Sequence, residues 1–259
     1  MSNICIVFVC NDKYLDKFIQ TCNELITIGK YTGDICLIIG DDLKDQDIEH
    51  NVFFIARNNI KVKYFPDIIF PKDFHNVNKK MKLHDNIYAD KRFPWHKLHL
   101  FNSYFKQWNY ILHLDCGMGI CNNIDPLIQL FQDNRIIAMT DSYPPCNRKL
   151  IENFDLRIGY EYFKKLINNF NINVDYFQTS IMMYDTRIIE EKTFNDLYEL
   201  SVNYPFCKTN DHGIISLYFT NINPVWTVLP LRKRDTYFYE NCTRNEGKKK
   251  YIVVKNNNW

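Results

Sequence analysis

Neither of the two glycine-rich nucleotide signatures is present. Only 8 of the 259 residues are glycine, and none forms Gly-x-Gly-x-x-Gly or Gly-x-x-x-x-Gly-Lys-Ser/Thr. A dinucleotide fingerprint and a P-loop are thereby excluded. No apolar run approaches the roughly 20 residues that span a bilayer. The first apolar run, Ile4–Val9, is too short for a signal peptide and has no basic segment before it. The nine cysteines show no Cys-x-x-Cys spacing, and the nearest pair, Cys116 and Cys121, has no histidine at zinc-finger distance. Cys5, Cys22 and Cys36 lie inside apolar runs, as free thiols do, and the odd count points to a reducing compartment. The expectation is a cytoplasmic chain with no membrane span. A net charge of +2 supplies no field for nucleic acid. There is no repeat, linker or low-complexity stretch.

What the chain does have is ample core material, 46% hydrophobic and 15% aromatic, enough for one domain over 1–259. Ile4–Val9 and Ile35–Ile39 are uninterrupted apolar runs, the mark of strands buried on both faces. Between them Leu15, Phe18, Ile19, Cys22, Leu25 and Ile26 recur at helical spacing. Further strands are expected at Ile60–Phe65, Tyr110–Leu114, Ile136–Thr140, Phe177–Tyr184 and Tyr251–Val254. Helices are expected over Trp95–Trp108, Tyr160–Phe170, Thr193–Tyr204 and Asp211–Phe219. Residues 66–95, with Pro66, Pro71 and Pro94, read as irregular. Alternating strands and helices give an α/β fold with a mostly parallel central sheet flanked by helices.

The segment with most chemical content is Tyr110-Ile-Leu-His-Leu-Asp115-Cys-Gly117. An apolar strand releases one carboxylate at its C-terminal end, where open α/β sheets hold ligands. The strand, the Asp-x-small turn and the following Asn123-Ile124-Asp125-Pro126-Leu127 resemble glycosyltransferase family 8, with the GT-A fold. That resemblance implies a nucleotide-sugar donor, with UDP as nucleotide, a retaining transfer, and an acceptor that is a glycan or a protein. It divides the chain into a nucleotide-binding half, 1–115, and a sugar and acceptor half, 116–259. Cys10-Asn11-Asp12-Lys13-Tyr14 resembles the family's opening motif, so Cys10, Asn11 and Tyr14 become base and ribose contacts. From the residues alone, Asn11 and Asp12 read as a helix cap. Lys97 matches the basic residue near the donor. Gln178, Thr179 and Ser180 match the segment that touches the donor sugar. Asp211-His212 matches an Asp-Gln helix start, with His212 in the place of Gln beneath the anomeric carbon. Asp115, Asp211 and His212 are the expected catalytic residues. With an ordinary imidazole, activity is expected to fall as pH drops through about 6.5.

Two departures bear on the metal. In the family the strand ends in Asp-x-Asp, and these carboxylates with a C-terminal His hold Mn²⁺ or Mg²⁺. Here the second Asp is Gly117, and Tyr251–Trp259 keeps Lys255 and a Trp but has no His. Asp115 is left as a lone metal ligand, so weak metal dependence or none is expected. Charge on the leaving diphosphate must then be met by Lys or Arg. Arg232-Lys233-Arg234, Lys248–Lys250 and Lys255 are the candidates. One alternative is a catalytically inactive GT-A domain acting as a sugar- or nucleotide-binding or scaffold protein. The other is a nucleotidyltransferase, which would need a glycine-rich phosphate loop that Cys10–Tyr14 lacks. The sugar, the acceptor and the oligomeric state, a homodimer included, are left open.

Overall fold

The computed structural model describes residues 3–84, 93–142, 147–240 and 250–255. Its strands are β1 Ile4–Cys10, β2 Asp34–Ile39, β3 Lys61–Tyr64, β4 Tyr110–Leu114, β5 Met118–Ile120, β6 Ile136–Thr140, β7 Phe177–Asp185, β8 Trp226–Val228, β9 Arg232–Lys233, β10 Thr236–Glu240 and β11 Tyr251–Lys255. The helices are α1 Leu15–Thr27, α2 Ile48–Asn51, α3 Phe53–Arg57, α4 Lys72–His84, α5 Asp125–Ile128, α6 Tyr160–Asn169, α7 Thr193–Asn203 and α8 Asp211–Leu217. A seven-stranded sheet runs in the order β3-β2-β1-β4-β7-β6-β8, and a four-stranded sheet runs β5-β11-β10-β9.

The apolar runs explain the large sheet. Cys5, Val7 and Val9 enter one core with Cys36 and Ile38. Ile6, Phe8 and Cys10 enter the other with Ile35, Leu37 and Ile39. Successive strand residues point to opposite faces, so a strand with both faces covered must be apolar throughout. β1, β2, β3 and β4 pair in parallel. β7 runs antiparallel to both β4 and β6. That reversal places the start of β7 beside the end of β4, with Leu114 opposite Ile181. β5 leaves the Asp115 turn to join the small sheet, where Met118 pairs with Lys255 of β11. The C-terminal strand thus returns to the turn that follows β4.

Two expected elements differ. The helix over Trp95–Trp108 is instead two 3₁₀ segments, Phe93–Phe101 and Ser103–Gln107. Asn102 is extended between them, and its side chain accepts from the Tyr104 backbone at 2.9 Å. Trp95, His96, Leu98, His99, Leu100 and Phe101 are all buried, so this segment has no solvent face to favour a regular amphipathic helix. Conversely, residues 66–95 contain α4. Pro71 stands immediately before its first residue, where proline begins a helix as readily as it ends one. Phe74 and Val77 then face the core.

The first turn of α8 packs without clearance. A Cβ on Gly213 would lie 2.9 Å from Asn153 Cβ and collide with Cys207 Sγ. Gly213→Ala should therefore lower stability by about 1–3 kcal/mol, the usual cost of overpacking, measured by urea denaturation. An unchanged midpoint would mean that α8 can shift outward freely.

Candidate active site

β4 is buried on both faces, and its last apolar residue hands over to Asp115. The Asp115 backbone N–H donates to the Ser180 carbonyl at 2.9 Å, which fixes the turn against β7. The first 3₁₀ segment, packed under this edge, brings in Lys97. Its Nζ lies 2.6 Å from Asp115 Oδ1 and 3.8 Å from Asp211 Oδ2, and its side chain is 16% exposed. Asp211 is the first residue of α8, and its Oδ2 accepts from Thr179 Oγ1 at 3.0 Å. Three charged residues from three distant segments therefore meet at one strand end.

Their protonation follows from the contacts. Burial alone would raise the Asp115 carboxyl, but Lys97 and His113 oppose it and hold Asp115 well below the usual carboxylate range. Burial would lower the Lys97 ammonium, and the two carboxylates raise it instead. Asp211 is different. Burial pushes it up to about 6, the Asp115 charge adds to that, and Lys97 only partly opposes it. Both carboxylates are ionised above pH 6, against one ammonium.

His113, inside β4, was not singled out from the sequence. Its Nδ1 is 3.0 Å from the Val7 carbonyl, and its Nε2 faces Asp115 Oδ1 at 3.4 Å. Burial lowers its pKa. The only sequence signal was a polar residue in a strand that otherwise reads as apolar.

The remaining expected residues fall into three groups. Thr179 and Ser180 adjoin the charged cluster: Thr179 binds Asp211, and Ser180 Oγ is 3.3 Å from Tyr239 Oη of β10. Gln178 turns to a second cluster, donating through Nε2 to Asp141 Oδ1 at 2.7 Å. Asp141 also accepts from Tyr176 Oη at 2.6 Å and pairs with Arg148 at 3.2 Å. Asp141 follows β6 as Asp115 follows β4, so the same signal could have found it. His212 lies between the clusters, its ring 5.5 Å from that of Tyr176 and its Nε2 without a hydrogen-bond partner among the described residues. Lys255 and Lys97 both act on His212 electrostatically.

At the end of β1, Cys10 is buried and its thiol donates to the Asn11 carbonyl at 3.2 Å. Asn11 makes no side-chain cap bond, and its Oδ1 is buried without a partner among the described residues. Tyr14 is 38% exposed. Of the basic runs, Arg232 and Lys233 are exposed on the edge strand β9, with Arg232 against the Tyr237 ring. They make no contact with the Asp115 cluster among the described residues. Lys250 also lies over Tyr237. Lys248, Lys249 and Trp259 lie outside the described residues.

The expected pH response of His212 is corrected. Burial lowers its pKa to about 4, the Asp141 charge opposes this, and Lys97 adds to the lowering. The imidazole is therefore neutral throughout pH 5–8, and no loss of activity near 6.5 follows from it.

Solved structures with the same architecture share little sequence. WbbM, described as a bifunctional glycosyltransferase, matches with a TM-score of 0.58 at 15% identity, over 98% of this chain and 45% of that one. The chain thus spans less than half of that enzyme. The galactosyltransferase LgtC, in complex with donor and acceptor sugar analogues, matches at 0.57 and 11% identity, over 97% of this chain and 86% of that one. The fold is that of the GT-A glycosyltransferases. Mouse xyloside xylosyltransferase 1 aligns over 99% of this chain and 97% of its own, with a TM-score of 0.54 and 12% identity. No family profile and no curated protein matches the chain.

The GT-A fold raises the question of a divalent cation, and the described residues do not fit one. Among the described residues no group of three or more His, Cys, Asp or Glu side chains could hold a metal ion. Mg²⁺ and its analogues are usually bound through one or two carboxylates plus phosphates and waters, but Asp115 is already paired with Lys97. Gly117 has φ +89°, a conformation in which any side chain is strained. No helix among the described residues is long and apolar enough to cross a membrane.

The Asp211 carboxyl gives a direct test of this electrostatic picture. Because its folded pKa lies above the unfolded value, its contribution to stability is complete below about pH 4 and is lost as pH rises through 6. Relative to Asp211→Asn, the wild type should lose about 3 kcal/mol between pH 3.5 and pH 7.5, read from urea denaturation at each pH. A pH-independent difference would mean that Asp211 ionises like an exposed carboxyl.

Proposed function

We propose that this protein transfers a sugar from a nucleotide-sugar donor, with UDP as the nucleotide, to a glycan or protein acceptor. The observation that carries the reading is the half-buried Lys97–Asp115 pair with buried Asp211 beside it, at the C-terminal end of β4, on a fold whose ligands belong at that edge. Asn11 supports it: a buried amide oxygen without a partner calls for a group to complete it, and it stands at the neighbouring strand end, beside Tyr14. In this reading the donor's base and ribose lie at that mouth, and its sugar lies beside Asp211, Thr179 and His212.

In the reaction the anomeric carbon exchanges its bond to the diphosphate for one to an acceptor hydroxyl oxygen. The hydroxyl proton leaves with the departing diphosphate or to solvent. Positive charge builds on the sugar ring, and negative charge on the leaving group. Asp211, ionised above pH 6, stabilises the positive charge from a water-poor environment, where electrostatic stabilisation is strongest. His212, neutral and with an Nε2 unpartnered among the described residues, accepts or donates one hydrogen bond without adding a like charge to the ring. Lys97 holds Asp115 ionised and in place. Retention of configuration follows the family resemblance.

The second reading, a sugar- or nucleotide-binding domain without turnover, is favoured by Gly117 in place of the second carboxylate. UDP or a UDP-sugar should raise the melting temperature, and Asp115→Ala should abolish the shift. Equal stabilisation by unrelated nucleotides, or none, would overturn the donor assignment. Release of UDP from a panel of UDP-sugars then separates the two readings, since a binding domain gives the shift without the release.

His212 can be tested within the same assay. His212→Ala should reduce turnover by more than about tenfold, or 1.4 kcal/mol of transition-state stabilisation, with nucleotide affinity nearly intact. His212→Gln should keep more activity than Ala. The wild-type profile should show no inflection between pH 6 and 7 that disappears in His212→Gln. Equal rates for wild type and Ala would leave His212 as part of the α8 packing only.

A further inference from the structure

The charged cluster has a shortfall. Above pH 6 it holds two carboxylates against one ammonium, so it is net negative where a diphosphate has to arrive. Asp115 consumes the Lys97 charge at 2.6 Å. A cation outside this pair is needed to receive the phosphates, and it must lie on the turn that follows β4.

Among the described residues Lys255 reaches that turn from β11, and one further side chain meets the requirement from α1. Lys17, in the first turn of α1, is half-buried, and its stem crosses directly over Gly117. A Cβ built on Gly117 would lie 3.4 Å from Lys17 Cδ and 3.8 Å from Lys17 Cβ. Lys17 thus lies along the direction in which a side chain at 117 would project. Its Nζ sits 4.9 Å from the centroid of the Tyr14 ring, and among the described residues it pairs with no carboxylate. A Lys in the first turn of a helix also opposes the macrodipole, so its position is not favoured by α1 itself. The Gly117 turn is held to the same helix, with its backbone N–H donating to Thr21 Oγ1 at 3.0 Å.

We propose that Lys17 binds the diphosphate of the donor, its ammonium supplying the charge that a carboxylate-bound cation would otherwise supply. This inference rests on the nucleotide-sugar reading above and assigns a residue within that site. An ammonium on a diphosphate forms charge-assisted hydrogen bonds, and its effect belongs to the phosphates rather than to the base or ribose.

Affinities for UDP, UMP and uridine, measured by calorimetry in the presence of chelator, test this on the full chain. Lys17→Met keeps most of the stem over Gly117 and removes only the charge, so the unliganded melting temperature should not move. It should weaken UDP by about tenfold or more, the scale of one charge-assisted contact, leave uridine unchanged, and collapse the preference for UDP over UMP. Lys17→Arg should restore most of that preference. If the wild type binds UDP and Lys17→Met keeps the same ratio of UDP to UMP affinity, Lys17 is a surface lysine and the inference fails alone. If the wild type binds none of the three ligands, the nucleotide-sugar reading fails and this assignment fails with it.

Discussion

The 2.6 Å pair between Lys97 and Asp115 is the contact on which the candidate site depends. Charges partly withdrawn from water favour pairing and hydrogen bonding, and each of these two half-buried groups is the other's main partner. The pair ties the first 3₁₀ segment to the end of β4. Through the 3.8 Å approach to Asp211 it also reaches the start of α8. The elements around it are arranged to permit that meeting. β7 reverses direction so that Ser180 can receive the Asp115 N–H, and Gly213 lets α8 come close enough to deliver Asp211.

This arrangement assigns the charges differently from a site built on a metal. A second carboxylate at 117 would face the Lys17 stem from a backbone already at φ +89°, and the first carboxylate is paired through Oδ1 with Lys97. What the strand end offers a donor is fixed protein charge together with neutral hydrogen-bonding groups such as Asn11 and His212. Preorganised groups of this kind need no reorganisation when charge develops. The cost is a buried Asp211 whose ionisation burial opposes, a strain of the sort that collects at functional sites.

Much of this was legible in the residues because the relevant signals are local. The apolar runs at Ile4–Val9 and Ile35–Ile39 became β1 and β2, and the strand ending at Asp115 became β4, since no partner is needed to recognise a strand buried on both faces. Asp211 at a helix start was equally local. The antiparallel course of β7, the four-stranded sheet and the pairing of Met118 with Lys255 depend on contacts far apart in sequence, and periodicity does not carry them. The segment Trp95–Phe101 is buried on nearly every side, so helical periodicity carries no information there, and Pro71 ahead of α4 signals a helix start as readily as a break. Asp141, at the end of β6, carried the same signal as Asp115 and was passed over. Lys17 had no signal of its own: a lysine in an amphipathic helix is ordinary until Gly117 is seen beneath it.

The measurement closest to the central claim is turnover of a UDP-sugar in saturating chelator, followed by titration with Mn²⁺. If fixed lysines carry the charge of the leaving diphosphate, the rate in chelator should match the rate in Mn²⁺ within about twofold, well under the tenfold that 1.4 kcal/mol represents. Complete loss of turnover in chelator, restored by Mn²⁺, would show that a metal ion carries that charge and would contradict the account.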